Sequence, residues 1–252
     1  MRRPPRLLRF ANLVAAAALG LGCAAANAVS SSVVEGTGAG EGVLFIGNSL
    51  TESNDLPARV AEITAAAGHP LRTSEVTLPG ASLLDHWEDG QAVRSIREGR
   101  WSVVVLQQGP STLPESRAEL ISSTKQFAAE IRRAGARPAL LMVWPRPGQQ
   151  ASAVSASYRA AAEANDALLL PAGDAWTILA ARDRSIVLTE SDGFHPSLLG
   201  TYAAALTVAC TLIPEDRPAL ARALSASPLR LDAGRRDVLV EAACTAAATS
   251  RR

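Results

Sequence analysis

The chain has 252 residues, 48% hydrophobic and 19% charged, with 25 basic side chains against 24 acidic ones and a net charge of +1. So even a balance excludes nucleic acid as the main partner, because phosphate binding needs a clustered cationic face. Aromatics are only 4%, which leaves no stacking platform for single strands.

Taken in chain order, the N-terminus reads as an export signal. Arg2, Arg3, Arg6 and Arg9 form a basic start, and residues 13–21 make an apolar stretch too short to span a bilayer comfortably. Ala26-Asn27-Ala28 offers a peptidase site, so residues 1–28 are expected to be a signal peptide and the mature chain to be exported, either secreted or periplasmic. Cys23, after Leu21-Gly22, supports a rival reading in which cleavage there leaves a lipidated cysteine that attaches the protein to a membrane, although Gly20 stands where such a box prefers leucine. A retained anchor is the third reading. Pro4-Pro5 disfavour a twin-arginine signal. Export implies an oxidising compartment, where Cys210 and Cys244 either form a bridge or remain two buried thiols. Three cysteines without ligand spacing predict no metal.

Residues 29–41 are rich in Ser and Gly and read as a flexible linker, with one domain over 42–252. Apolar strand-like runs then alternate with helical patterns. Strands are expected at 43–46, 71–78, 101–107, 139–143 and 167–170. Helices are expected at 54–67, 114–134, 151–164, 175–181, 197–212 and 232–248, and 214–230 reads as an irregular connection or small helices. Continuous apolar strands separated by helices mean a parallel sheet covered on both faces. The fold class is therefore α/β, a three-layer α/β/α sandwich with a flavodoxin-like five-stranded parallel sheet whose switch point lies at the end of the first strand.

Ser49 sits at that point, in Gly47-Asn48-Ser49-Leu50-Thr51 directly after Val43-Leu44-Phe45-Ile46. Serine is a poor nucleophile until a base takes its proton. A strand-to-helix turn exposes its hydroxyl beside backbone N–H groups, although a plain turn or capping serine also occupies such places. Far downstream, Asp192-Gly193-Phe194-His195-Pro196 puts an acid three residues before a histidine, so that a carboxylate can hold one ring nitrogen while the other faces the serine. Of the other histidines, His69 lies in a turn between Gly68 and Pro70. His86 lies in a polar cluster with Asp85, Glu88 and Asp89 whose spacing fits no metal motif. Asn48 is a candidate to orient the turn, and Asn54 and Asp55 to cap the first long helix. Trp144 either lines the substrate pocket or packs, with Pro145-Arg146-Pro147 a stiff loop on the same rim.

These motifs resemble the blocks of the SGNH hydrolase (GDSL-type esterase/lipase) superfamily. Gly47-Asn48-Ser49-Leu50 is similar to the first block, with Asn48 where Asp is usual. Leu78-Pro79-Gly80-Ala81-Ser82 is similar to the second, and the segment 192–196 to the last. The resemblance implies ester hydrolysis through an acyl-serine, with Ser49, Asp192 and His195 catalytic and no cofactor. It also implies an oxyanion hole from the N–H groups of Ser49 and Gly80. The third block departs from the family's Gly-x-Asn-Asp, reading Leu106-Gln107-Gln108-Gly109. A glutamine amide is expected to replace the asparagine, with Gln108 favoured and Gln107 the rival, since adjacent strand residues face opposite sides. The expected substrate is a small-molecule or carbohydrate ester with a short acyl group, handled by a monomer. A non-catalytic envelope-binding protein on the same scaffold, or an acyltransferase using the same triad, are the alternatives.

Overall fold

The structure, a computed structural model, describes residues 32–35 and 40–250. The expected signal peptide, and Cys23 with it, lie outside the described residues. In chain order the elements are β1 (Ser32–Glu35), β2 (Glu41–Gly47), α1 (Ser49–Glu52), α2 (Leu56–Ala66), β3 (Leu71–Thr77), α3 (Leu83–Asp89), α4 (Gln91–Glu98) and β4 (Val103–Leu106). These are followed by α5 (Pro114–Arg133), β5 (Arg137–Leu141), α6 (Ala151–Ala164), β6 (Leu168–Leu170), α7 (Ala172–Arg182), α8 (Leu198–Leu212), α9 (Arg217–Ala223) and α10 (Ala233–Ser250).

The sheet order is β1-β3-β2-β4-β5-β6. The last five are mutually parallel, in the flavodoxin-like arrangement expected. The sheet's centre is apolar on both faces, as a parallel sheet covered twice requires. Leu44, Phe45, Ile46, Val104, Val105 and Leu106 are wholly buried. One helical layer joins α2 to α8 and α8 to α10. The other joins α3 and α4 to α5, and α5 to α6, while α7 touches α6, α8 and α10. Helix α8 is buried nearly all round because it is caught between α2, α7 and α10, which explains its almost unbroken apolar sequence. The Cys210–Cys244 bridge joins it to α10, with Cα atoms 5.1 Å apart.

One expectation needs correction and one gap is filled. Within the segment read as a linker, Ser32–Glu35 pairs antiparallel with β3, Val33 opposite Val76. Two β-branched residues suffice for a short edge strand, which composition alone does not separate from its Ser/Gly surroundings. The stretch between β3 and β4, to which the sequence reading assigned no element, holds α3 and α4. Helix α3 is opened by a capping box in which the Ser82 hydroxyl accepts from the Asp85 N–H while the Asp85 carboxylate accepts from the Ser82 N–H. Gly90, at φ 76°, ends it.

Candidate active site

The nucleophile turn is built where β2 stops. At Gly47 a Cβ would stand 2.4 Å from the Thr51 hydroxyl oxygen and 2.5 Å from Gln107 Oε1, so only glycine leaves room for the side chains that brace the turn. Asn48 caps α1: its Oδ1 accepts from the Leu50 N–H at 3.1 Å, and its Nδ2 donates to the Ala81 carbonyl at 2.9 Å. That second bond ties the serine turn to the 78–82 loop. Gln107 clamps the same residue from below. Its Oε1 accepts from the Asn48 N–H (2.9 Å) and the Thr51 hydroxyl (2.8 Å), while its Nε2 donates to Asn48 Oδ1 (3.0 Å) and the Gln108 carbonyl (2.8 Å). All four hydrogen-bonding sites of this buried amide are thus used. His86, fully buried in α3, donates from Nε2 to the Gly47 carbonyl at 2.8 Å. Burial pushes its pKa down, so it stays a neutral brace. Neither the clamp nor the brace was assigned from sequence. His86 sits among Leu83, Leu84 and Trp87, and only that apolar setting hinted at burial.

The acid–base loop lies between α7 and α8. It closes on itself: the Glu190 N–H donates to the His195 carbonyl (2.8 Å), and the Gly193 N–H to the Glu190 carbonyl (3.0 Å), with Gly193 at φ 71°. Asp192 uses both oxygens within the loop. Oδ1 accepts from the N–H groups of Phe194 (2.8 Å) and His195 (2.9 Å), and Oδ2 meets His195 Nδ1 at 2.5 Å. These bonds, that from His195 first, lower the Asp192 pKa to about 2. An ionised carboxylate only accepts, so Nδ1 donates to it and Nε2 is the ring nitrogen that faces Ser49. Ser49 Oγ stands 3.0 Å from that nitrogen. The serine, histidine and aspartate named from sequence therefore form one continuous hydrogen-bonded relay.

Two further bonds seat the loop. Trp144 donates from its indole to the Phe194 carbonyl at 2.7 Å and stacks on Trp176 with ring centroids 3.6 Å apart. Of its two readings, packing is the one realised: Trp144 is 2% exposed and braces the loop from behind. Asn54 does not cap α2, which Asp55 does through its bond from the Ala58 N–H. Instead its Nδ2 donates to the Pro196 carbonyl (2.9 Å) and the Thr201 hydroxyl (3.0 Å), binding the turn after the nucleophile to the segment after the base.

A cleft of about 510 Å³ opens over Ser49 and His195, lined also by Gly80, Gly109, Arg146, Pro147 and Phe194. Ser49 occupies the first position of α1, where its N–H has no intrahelical partner. The N–H groups of Gly80 and Gly109 have no acceptor among the described residues, and a Cβ on either would meet nothing within 4 Å. All three residues line the cleft beside the serine hydroxyl. The expectation for Gln108 is overturned. Its Nε2 donates to the Ser111 hydroxyl (2.8 Å), its Oε1 accepts from the Leu83 N–H (3.1 Å), and it is 3% exposed. β4 ends at Leu106, so strand alternation does not extend to the glutamines; both amides are buried, and the glycine after them reaches the cleft. The Tyr158 hydroxyl donates to the Gln108 carbonyl and holds that loop, its pKa pushed up by burial. Among the described residues no group of three or more His, Cys, Asp or Glu side chains is arranged to hold a metal ion, and the cluster around His86 is used for capping and bracing.

No protein-family model matches the chain, and no curated protein matches it. Solved structures do. A protein from Slackia heliotrinireducens assigned to the SGNH hydrolases is 25% identical with a TM-score of 0.54, over 68% of this chain and 98% of that one. A DUF4886-family protein from Bacteroides uniformis reaches a TM-score of 0.69 at 17% identity, over 82% of this chain and 95% of that one. A lipase/acylhydrolase from Enterococcus faecalis gives 0.53 at 15% identity, over 67% and 93%. At those last two identities the likeness is one of fold.

Proposed function

We propose that this chain, an ester-hydrolysing enzyme of the SGNH type, cleaves small acyl esters through an acyl-Ser49 intermediate. The observation that carries the reading is the relay from Ser49 Oγ through His195 to Asp192, with contacts of 3.0 and 2.5 Å. His195 Nε2 takes the hydroxyl proton as Ser49 attacks the ester carbonyl. Asp192 holds the ring's tautomer and stabilises the imidazolium. The N–H groups of Ser49, Gly80 and Gly109 receive the tetrahedral oxyanion, each such donor being worth about 3–4 kcal/mol of barrier. His195 then protonates the leaving alcohol, and water repeats the sequence to release the acid. The reaction uses only these protein groups. The cleft volume suits a short acyl group on a small alcohol, carbohydrates included, and a monomer supplies the whole site.

Ser49→Ala is expected to abolish turnover of p-nitrophenyl acetate and labelling by a fluorophosphonate, with an unchanged circular dichroism spectrum. Full activity in that variant removes the proposal. Export is part of the same reading, since a bridge such as Cys210–Cys244 persists in an oxidising compartment. N-terminal sequencing of the mature protein checks it. A start at Val29 supports secretion, a blocked Cys23 supports lipid attachment, and an intact Met1 in the whole population refutes both.

A further inference from the structure

Arg146 lines the catalytic cleft without a partner for its charge. The guanidinium lies over the Phe194 ring, its central carbon 4.1 Å from the ring centroid. It has no carboxylate and no hydrogen-bond acceptor among the described residues, whereas arginines of the domain such as Arg59, Arg97 and Arg133 each meet a carboxylate. Its backbone is held. The Arg146 N–H donates to Gln149 Oε1 and its carbonyl accepts from the Gln149 N–H, both at 2.9 Å. Gln149 Nε2 in turn donates to the Thr112 hydroxyl at 3.0 Å, which pins the loop to the one that follows Gly109. Pro145 and Pro147 flank Arg146 and stiffen it further. Among the described residues the only anionic side chain lining the cleft is Asp192, and both its oxygens are taken by the His195 ring and by two backbone N–H groups. Stacking leaves the edge of a guanidinium free, and that edge is a planar fork suited to two oxygens of one anion.

Position decides which half of the substrate meets it. Phe194 precedes His195, and Pro147 Cγ lies so near Gly193 that an added Cβ there would come within 3.2 Å. The Arg146 loop, which follows β5, therefore packs on the acid–base loop, whereas Gly80 and Gly109 lie in the loops that follow β3 and β4. The leaving alcohol departs on the side of the group that protonates it, which is His195. We propose that Arg146 is a specificity residue and that the enzyme prefers esters whose alcohol portion carries an oxyanion, a carboxylate or a phosphate. The inference rests on the ester-hydrolase reading and names the substrate class of that site.

The test compares 4-acetoxybenzoate and 4-acetoxyphenyl phosphate with the neutral methyl 4-acetoxybenzoate, in wild type, Arg146→Gln and Arg146→Lys. The intrinsic reactivity of the esters cancels when wild type and variant are compared. The ratio of kcat/KM for the better anionic ester to that for the neutral ester is expected to fall about ten- to a hundredfold in Arg146→Gln, as a charge-assisted contact predicts. Arg146→Lys should recover part of it, and the phosphate and carboxylate arms rank the two anions. An equal loss on all three esters, or a ratio that Arg146→Gln leaves in place, overturns the specificity role. Wild-type enzyme that cleaves none of the three refutes the hydrolase reading itself, a result distinct from the first two.

Discussion

Replacing Gln107 by Leu separates the role found for it from the role expected of its neighbour. The change keeps the approximate volume and removes four hydrogen bonds at once. Two of the stranded groups keep another partner: Asn48 Oδ1 still accepts from the Leu50 N–H, and the Gln108 carbonyl from Tyr158. The Asn48 N–H and the Thr51 hydroxyl are left buried with nothing to bond. Each such orphan costs about 1–3 kcal/mol, so the folded state should lose roughly 2–6 kcal/mol. The freed turn also carries Ser49, and a displacement of about 1 Å there costs on the order of a hundredfold in kcat. Urea unfolding followed by tryptophan fluorescence gives the first quantity, and initial rates with p-nitrophenyl acetate the second. Gln108→Ala is the control. An oxyanion donor lost there would cut kcat about 10²–10³-fold at normal stability, whereas the observed bonds predict mainly a stability loss from the orphaned Leu83 N–H. A Gln107→Leu protein that unfolds at the wild-type urea midpoint with wild-type kcat refutes the clamp. A Gln108→Ala protein that is stable but inert restores the oxyanion role to Gln108.

Two further outcomes concern stability. Glu75 lies in β3 with one carboxylate oxygen lacking a partner, and burial, together with Asp55 and Glu52, raises its pKa from 4.5 to about 7. Between those values the unfolded chain is ionised while the folded one keeps its proton, so stability falls as pH rises and the loss is complete above about 7. Full burial would make this about 3 kcal/mol, and solvent screening reduces it to about 1–2. Glu75→Gln should therefore be more stable than wild type near about pH 8 and no more stable near about pH 4; denaturant midpoints that differ equally at both would contradict the assignment. The Cys210–Cys244 bridge spans 34 residues, which corresponds to about 4 kcal/mol on the chain-entropy model. Reduction, or the double Ala variant, should lower Tm by about 10 °C, and an unchanged Tm in both would show that the bridge adds nothing.

Much of the site was legible because its chemistry is local. Asp192 and His195 lie three residues apart, and the Ser49 turn follows an apolar run no other element could use. The parallel strands were legible for the same reason: residues 43–46 and 104–106 are buried on both faces and read as unbroken apolar runs. What sequence hid depends on where a strand ends and what packs beneath it. The assignment of an amide to the cleft turned on β4 stopping at Leu106, one residue before the glutamines. The brace from His86 joins residues 39 apart through a helix too short and polar to announce itself, although Ser82 and Asp85 carried its capping signature. β1 is four residues inside a run rich in Ser and Gly.

Asn54 has a consequence for how this site tolerates change. The proton acceptor and its carboxylate come prefabricated in one stitched hairpin, and the attacking oxygen comes from a separately braced corner. Alignment of the two halves therefore rests on the packing of α2 against α8 and, nearest the reacting atoms, on the amide that reaches Pro196 and Thr201. Sequence drift within either half leaves their mutual aim intact, while the loss of that side chain loosens it.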